Sequence, residues 1–172
     1  SLEPVDPLPK DLVLVVDTSG SMRGEKMEQA REAVTYCLDH LNPGDRFNVV
    51  TFGSEVKRFS KGLSDNTPAN REAARSFIED SVALGRTHIS GALEAGLKGK
   101  PDAERPRMMI FLTDGTPTAG EMNPEKILKA LPKMNQARTR IFVMGVGKDV
   151  NTHLLDRITE QTKAFSQYVL PE

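Results

Sequence analysis

The sequence predicts an α/β fold: a doubly wound, Rossmann-like, mostly parallel central sheet of about six strands, with one antiparallel edge strand and helices on both faces. Three observations predict it. Apolar runs at 12–16, 108–112 and 141–144 are continuous rather than alternating, as strands buried on both faces require. The segments between them place apolar residues three or four apart, which is helical spacing. Strand and helix therefore alternate, and that order builds βαβ crossovers. At 172 residues the chain is the size of one domain, and 38% hydrophobic residues are enough for a core.

The elements follow in order. Residues 1–10 carry three prolines and read as an N-terminal linker, leaving 11–172 as the domain. After the first strand, Met27, Ala30, Val34, Cys37 and Leu41 form one face of a helix over 25–41, stopped by Asn42-Pro43-Gly44-Asp45. Strands at 46–52 and 55–59 flank Gly53-Ser54, a hairpin signal. Thr67-Pro68 caps a helix whose stripe is Ala74, Phe77, Ile78 and Val82. A short helix spans 88–98, with Ile89, Ala92, Leu93 and Leu97 inward. Asn123-Pro124 starts another, with Ile127, Leu128, Leu131 and Met134 on one face, and Pro132 is expected to kink or end it. Asn151 caps a last helix reaching about residue 163, and 165–169 is the final strand.

Composition limits the function. Lys plus Arg is 23 and Asp plus Glu is 24, so the net charge of −1 speaks against a globally basic nucleic-acid binder while leaving room for a local patch. No apolar run approaches the roughly 18 residues of a membrane span, so direct membrane insertion is not expected. The chain opens on Ser, not Met, which reads as a segment of a longer, multidomain protein. The single Cys37 excludes an internal disulfide and any multi-cysteine zinc site, and its place on the inward helix face makes it a small core residue.

Ligands of such sheets sit beyond the carboxyl ends of strands, so the positions following 16, 83, 112 and 144 matter most. There stand Asp17-Thr18-Ser19-Gly20-Ser21, Gly85-Arg86-Thr87 and Thr113-Asp114-Gly115. Two carboxylates and at least three hydroxyls meet on one rim. All are oxygen donors, which suit a hard cation such as Mg²⁺ rather than zinc or copper. Taken singly each has a bland reading: Ser19, Ser21 or Thr87 as a helix cap, Asp17 bonding loop amides, Asp114 in a turn. Their joint placement is what points to a site.

Asp17-x-Ser19-x-Ser21, Thr87 and the Thr113-Asp114-Gly115 turn resemble the metal-ion-dependent adhesion site of the von Willebrand factor A domain family, over about residues 11–170. Within that family, LNPGDRFNVVTFGSEV and GRTHISGAL are most similar to inter-alpha-trypsin inhibitor heavy chains and bacterial relatives. The resemblance implies that Ser19, Ser21 and Thr87 ligate Mg²⁺ directly, with Mn²⁺ or Ca²⁺ as substitutes, and that Asp17 and Asp114 balance charge or act through water. It implies a non-enzymatic module in which an Asp or Glu carboxylate of a protein partner completes the coordination. It favours a secreted, cell-surface or periplasmic parent; a cytoplasmic one stays open. Where the family loop often reads Gly-Gly-Thr-Asn, this chain has Gly85-Arg86-Thr87-His88. Arg86 reads as a solvated arginine or as a greeting for an acidic ligand, and His88 as a solvated or capping residue. His40 and His153 are expected on helices far from the rim.

Rival functions lack residues. A haloacid-dehalogenase-like Mg²⁺-dependent phosphotransferase needs a second acid two positions after Asp17, where Ser19 stands, and a later acidic pair that Asp114 alone does not supply. Gly145-Val146-Gly147-Lys148 imitates a phosphate loop but is followed by Asp149, and Phe142 occupies the place of the first glycine. A purely structural assembly domain with a vestigial metal site is the third class; all five motif positions hold usable oxygens, which argues against decay.

Overall fold

The computed structural model describes residues 8–115, 117–147, 152–162 and 166–169. Its strands are β1 (Asp11–Asp17), β2 (Arg46–Phe52), β3 (Val56–Arg58), β4 (Ser64–Asp65), β5 (Arg107–Thr113), β6 (Arg140–Val146) and β7 (Ser166–Val169). Its helices are α1 (Glu25–Asp39), α2 (Pro68–Glu79), α3 (Ile89–Leu97), α4 (Pro124–Met134) and α5 (Thr152–Gln161). The sheet runs β3-β2-β1-β5-β6-β7. β1, β2, β5, β6 and β7 are parallel, and β3 closes one edge antiparallel to β2. The two-residue β4 also pairs antiparallel with β2, an addition with no apolar pattern to announce it.

Continuous apolar strands bury both faces because neighbouring residues point opposite ways. In β1, Val13 and Val15 join a core with Ile89, Leu93 and Leu97 of α3, Ile127, Leu128 and Leu131 of α4, and Leu154, Leu155 and Ile158 of α5. Leu12, Leu14 and Val16 join the other core with Met27, Ala30, Val34 and Leu38 of α1, and Ala74 and Ile78 of α2. Truncating one of these leucines costs about 2–5 kcal/mol.

The expected caps form: Thr67 Oγ1 accepts from the Asn70 amide, and Asn123 Oδ1 from the Glu125 amide. Several expectations are corrected. α1 ends at Asp39, so Leu41 lies beyond it, and His40 is its C-cap rather than a helical residue. Cys37 is half-buried at the edge of the core, where burial pushes its thiol up. α2 ends at Glu79; Val82 lies in the following loop and is 73% exposed. Pro132 does not end α4, which runs on to Met134. The expected Asn151 cap, residues 1–7 of the linker and Lys148 of the Gly-Val-Gly-Lys run lie outside the described residues.

Candidate metal centre

The chain passes from β1 to β2 on one side, then returns to β5 on the other. The carboxyl ends of β1 and β5 therefore flank the switch point of the sheet. Pairing of Val16 with Leu112 sets Asp17 beside Thr113.

Asp17 is fully buried. Its Oδ1 accepts from the Ser19 amide at 2.8 Å and its Oδ2 from the Thr113 hydroxyl at 2.7 Å. That hydroxyl in turn accepts from the Gly115 amide at 3.1 Å. Burial pushes the Asp17 carboxyl up to about 6; the bonds from Ser19 and Thr113 oppose this, and the Asp114 charge adds to it. Ser19 Oγ lies 3.1 Å from Ser21 Oγ, and Ser21 Oγ donates to Asp114 Oδ1 at 3.1 Å. Asp114 Oδ2 accepts from the Lys26 ammonium at 3.0 Å.

The structure thus links four of the five expected residues in one cluster: Asp17, Ser19, Ser21 and Asp114. Thr87 reaches the same rim by a backbone route. The Gly20 amide donates to the Gly85 carbonyl at 2.9 Å, which holds the 85–87 loop against the motif. Thr87 is buried, and its amide donates to Thr118 Oγ1 at 2.8 Å. No hydrogen bond joins its hydroxyl to the other four residues. Arg86 is exposed, its amide donating to Ser54 Oγ. His88 is the α3 N-cap residue without a side-chain cap bond. It packs against Gly120, where φ is +67° and an added Cβ would lie 2.2 Å from His88 Nε2. His153 is exposed on α5.

Three participants were not anticipated: Thr113 as the group that orients Asp17, Thr118 on the Thr87 amide, and Lys26. Lys26 had a signal. It is a cation in the first turn of α1, where the helix dipole disfavours one, and such a placement points to a nearby carboxylate.

The donor set fits a hard divalent cation. The clustered side-chain donors are hydroxyl and carboxylate oxygens, the type a hard cation prefers. The Lys26 ammonium already marks the Asp114 carboxylate as a place that accepts positive charge.

The von Willebrand factor type A domain profile matches residues 11–170. This chain belongs to that family. The domain is 33% identical over 168 residues to inter-alpha-trypsin inhibitor heavy chain H1 of Mesocricetus auratus, covering 93% of this chain and 18% of that protein. It is 35% identical over 159 residues to heavy chain H4 of Homo sapiens, covering 88% and 17%. The chain thus spans less than a fifth of these curated relatives. Among solved structures, a von Willebrand factor type A protein from Catenulispora acidiphila superposes with a TM-score of 0.81 at 22% identity, covering 95% of this chain and 39% of that one. Proximal thread matrix protein 1 from the mussel byssus, described with a zinc-occupied metal-ion-dependent adhesion site, gives 0.70 at 23% identity, covering 93% and 41%. These two likenesses establish the fold.

Proposed function

We propose that this domain is a non-enzymatic, divalent-cation-dependent protein-binding module, in which Asp17, Ser19, Ser21, Thr87 and Asp114 hold Mg²⁺ and an Asp or Glu carboxylate of a partner completes its coordination. Mn²⁺ or Ca²⁺ would substitute. The observation that carries this reading is the hydrogen-bonded cluster at the switch point, in which Asp17 accepts from the Ser19 amide and the Ser19 and Ser21 hydroxyls lead on to Asp114.

Both Asp17 oxygens already accept protein hydrogen bonds, so this carboxylate is suited to balancing charge from behind, through water. The hydroxyls, being neutral, leave a bound ion electrophilic and receptive to a foreign carboxylate. Fully buried and with both oxygens hydrogen-bonded, Asp17 presents no free oxygen for in-line attack on phosphorus, which supports binding over phosphoryl transfer. Beside the rim, Val82 is 73% and Leu84 64% exposed. Leu84 is tied to the motif, its amide donating to the Thr18 carbonyl at 2.8 Å. These two side chains would supply apolar contact next to the carboxylate. The residues 11–172 form the module, 1–10 its lead-in, and a secreted, cell-surface or periplasmic parent suits the heavy-chain likeness. No described helix is long and apolar enough to cross a membrane.

The test is selection of displayed random peptides on the domain in Mg²⁺, followed by rebinding in EDTA and to Asp114→Ala. Selected peptides should share an Asp or Glu, lose binding in EDTA and fail on the variant. Binding that survives both EDTA and Asp114→Ala overturns the proposal.

A further inference from the structure

A cavity lies at the pole of the sheet opposite the Asp17 rim. It is lined by residues that begin the strands, Asp11 of β1, Arg46 of β2 and Arg107 of β5, so it sits roughly 20 Å from the Asp17 rim at about 3.3 Å of rise per residue. Its volume is about 590 Å³, the size of a small-ligand site. Six cationic side chains line it against two carboxylates, in a chain whose net charge is −1.

Among the described residues, the two carboxylates form a salt bridge with one of these six cations, Arg46. Asp11 is occupied by Arg46 and by Arg105, which lies outside the lining. Arg58, Lys61, Lys98 and Lys100 are exposed and make no salt bridge to any described residue. Arg107 is half-buried at the floor. Its Nη2 donates to the Gly96 and Lys98 carbonyls, while its Nε is buried without a partner. Gly99 leaves the space this guanidinium fills: a Cβ there would lie 2.2 Å from Arg107 Nη1. The lining thus combines a guanidinium oriented by two carbonyls with four exposed cations that make no salt bridge to a described residue, a concentration of positive charge that suits an anion.

We propose that this cavity binds a compact polyanion bearing several phosphate or sulfate groups, independently of the metal centre. Tetrahedral oxyanions match the point charges that Arg58, Lys61, Lys98 and Lys100 present around the cavity. The lining offers few large apolar anchors of the kind an acidic peptide would need for register.

The test is isothermal titration at low salt with inositol hexakisphosphate, a sulfated tetrasaccharide and hexaglutamate, all in EDTA so that no cation bridges ligand and protein. The proposal expects the phosphate or sulfate probe to bind better than hexaglutamate, with affinity falling on the order of tenfold in Lys98→Ser/Lys100→Ser. Which of the two esters binds more tightly identifies the source. Lys126→Ser/Lys129→Ser removes the same charge outside the cavity lining and should change affinity far less. The proposal is overturned by no binding of either ester, by equal loss in the two double variants, or by preference for hexaglutamate. Circular dichroism on each variant separates loss of the site from loss of fold, and a variant that fails to fold is replaced by Lys61→Ser.

Discussion

The Thr113 hydroxyl donates to Asp17 Oδ2 at 2.7 Å, joining the ends of two adjacent parallel strands, β1 and β5. The bond fixes the one fully buried carboxylate of the candidate metal centre from the strand that also delivers Asp114. Thr113→Val keeps the shape and removes the hydroxyl, leaving Asp17 Oδ2 and the Gly115 amide without this partner. The expected loss is about 1–3 kcal/mol in urea unfolding, with weaker Mg²⁺ binding in the same variant. Unchanged cation affinity would show that Asp17 needs no such orientation.

Acidity separates the free and loaded domains. Asp17 in the fold protonates near 6, above its ordinary 3.8. Without a cation, its contribution to stability is complete below about 3.8 and is lost as pH rises through about 6. A bound cation needs the ionised form, so it restores what deprotonation removes. Melting temperature should therefore rise on Mg²⁺ addition much more at pH 7.5 than at pH 5. At a hundredfold excess over Kd, mass action gives about 2.7 kcal/mol. Equal shifts at the two pH values would remove Asp17 from the cation's surroundings.

The Asp11 network predicts the opposite sign. Burial alone would raise this carboxyl, but the hydrogen bonds and charges of Arg46 and Arg105 outweigh it and hold it below the ordinary carboxylate range. Its stabilisation is present above pH about 3.8 and disappears as acid protonates the folded group. Asp11→Asn should cost about 1–3 kcal/mol at neutral pH, discounted because both guanidiniums are partly solvated, and little under strong acid. Urea melts at the two pH values make the comparison.

The exposed pair beside the rim should matter to binding and not to folding. Val82→Ser/Leu84→Ser is expected to move stability by about 0.5 kcal/mol or less and to leave Mg²⁺ affinity intact. Affinity for selected acidic peptides should fall severalfold. A variant that binds those peptides as well as the parent would confine recognition to the ion.

Sequence pattern makes the sheet legible because β1 is buried on both faces, β5 and β6 are buried on one face and largely covered on the other, and all three read as unbroken apolar runs. The caps at Thr67 and Asn123 were legible because Pro follows each. Val82 misled because the end of α2 is set from elsewhere: Arg31 of α1 donates to the Ser81 carbonyl at 2.8 Å, and Arg23 to the Ala83 carbonyl at 3.1 Å. Such tertiary caps, fifty and sixty residues away, leave no local mark. At the candidate metal centre, strand-end position points to Asp17, Ser19, Ser21 and Asp114, the four residues that the structure links. Lys26 pairs with Asp114 across 88 residues, and only the assembled sheet brings them together.

The most direct measurement is anomalous diffraction from crystals soaked in Mn²⁺. The account predicts one strong peak enclosed by the Ser19, Ser21 and Thr87 hydroxyls, at about 2.1 Å from each direct ligand. Asp114 should lie within direct or water-bridged reach, with one position open to water or a foreign carboxylate. A map without density among those side chains at saturating Mn²⁺, or with the three hydroxyls turned apart, would contradict it.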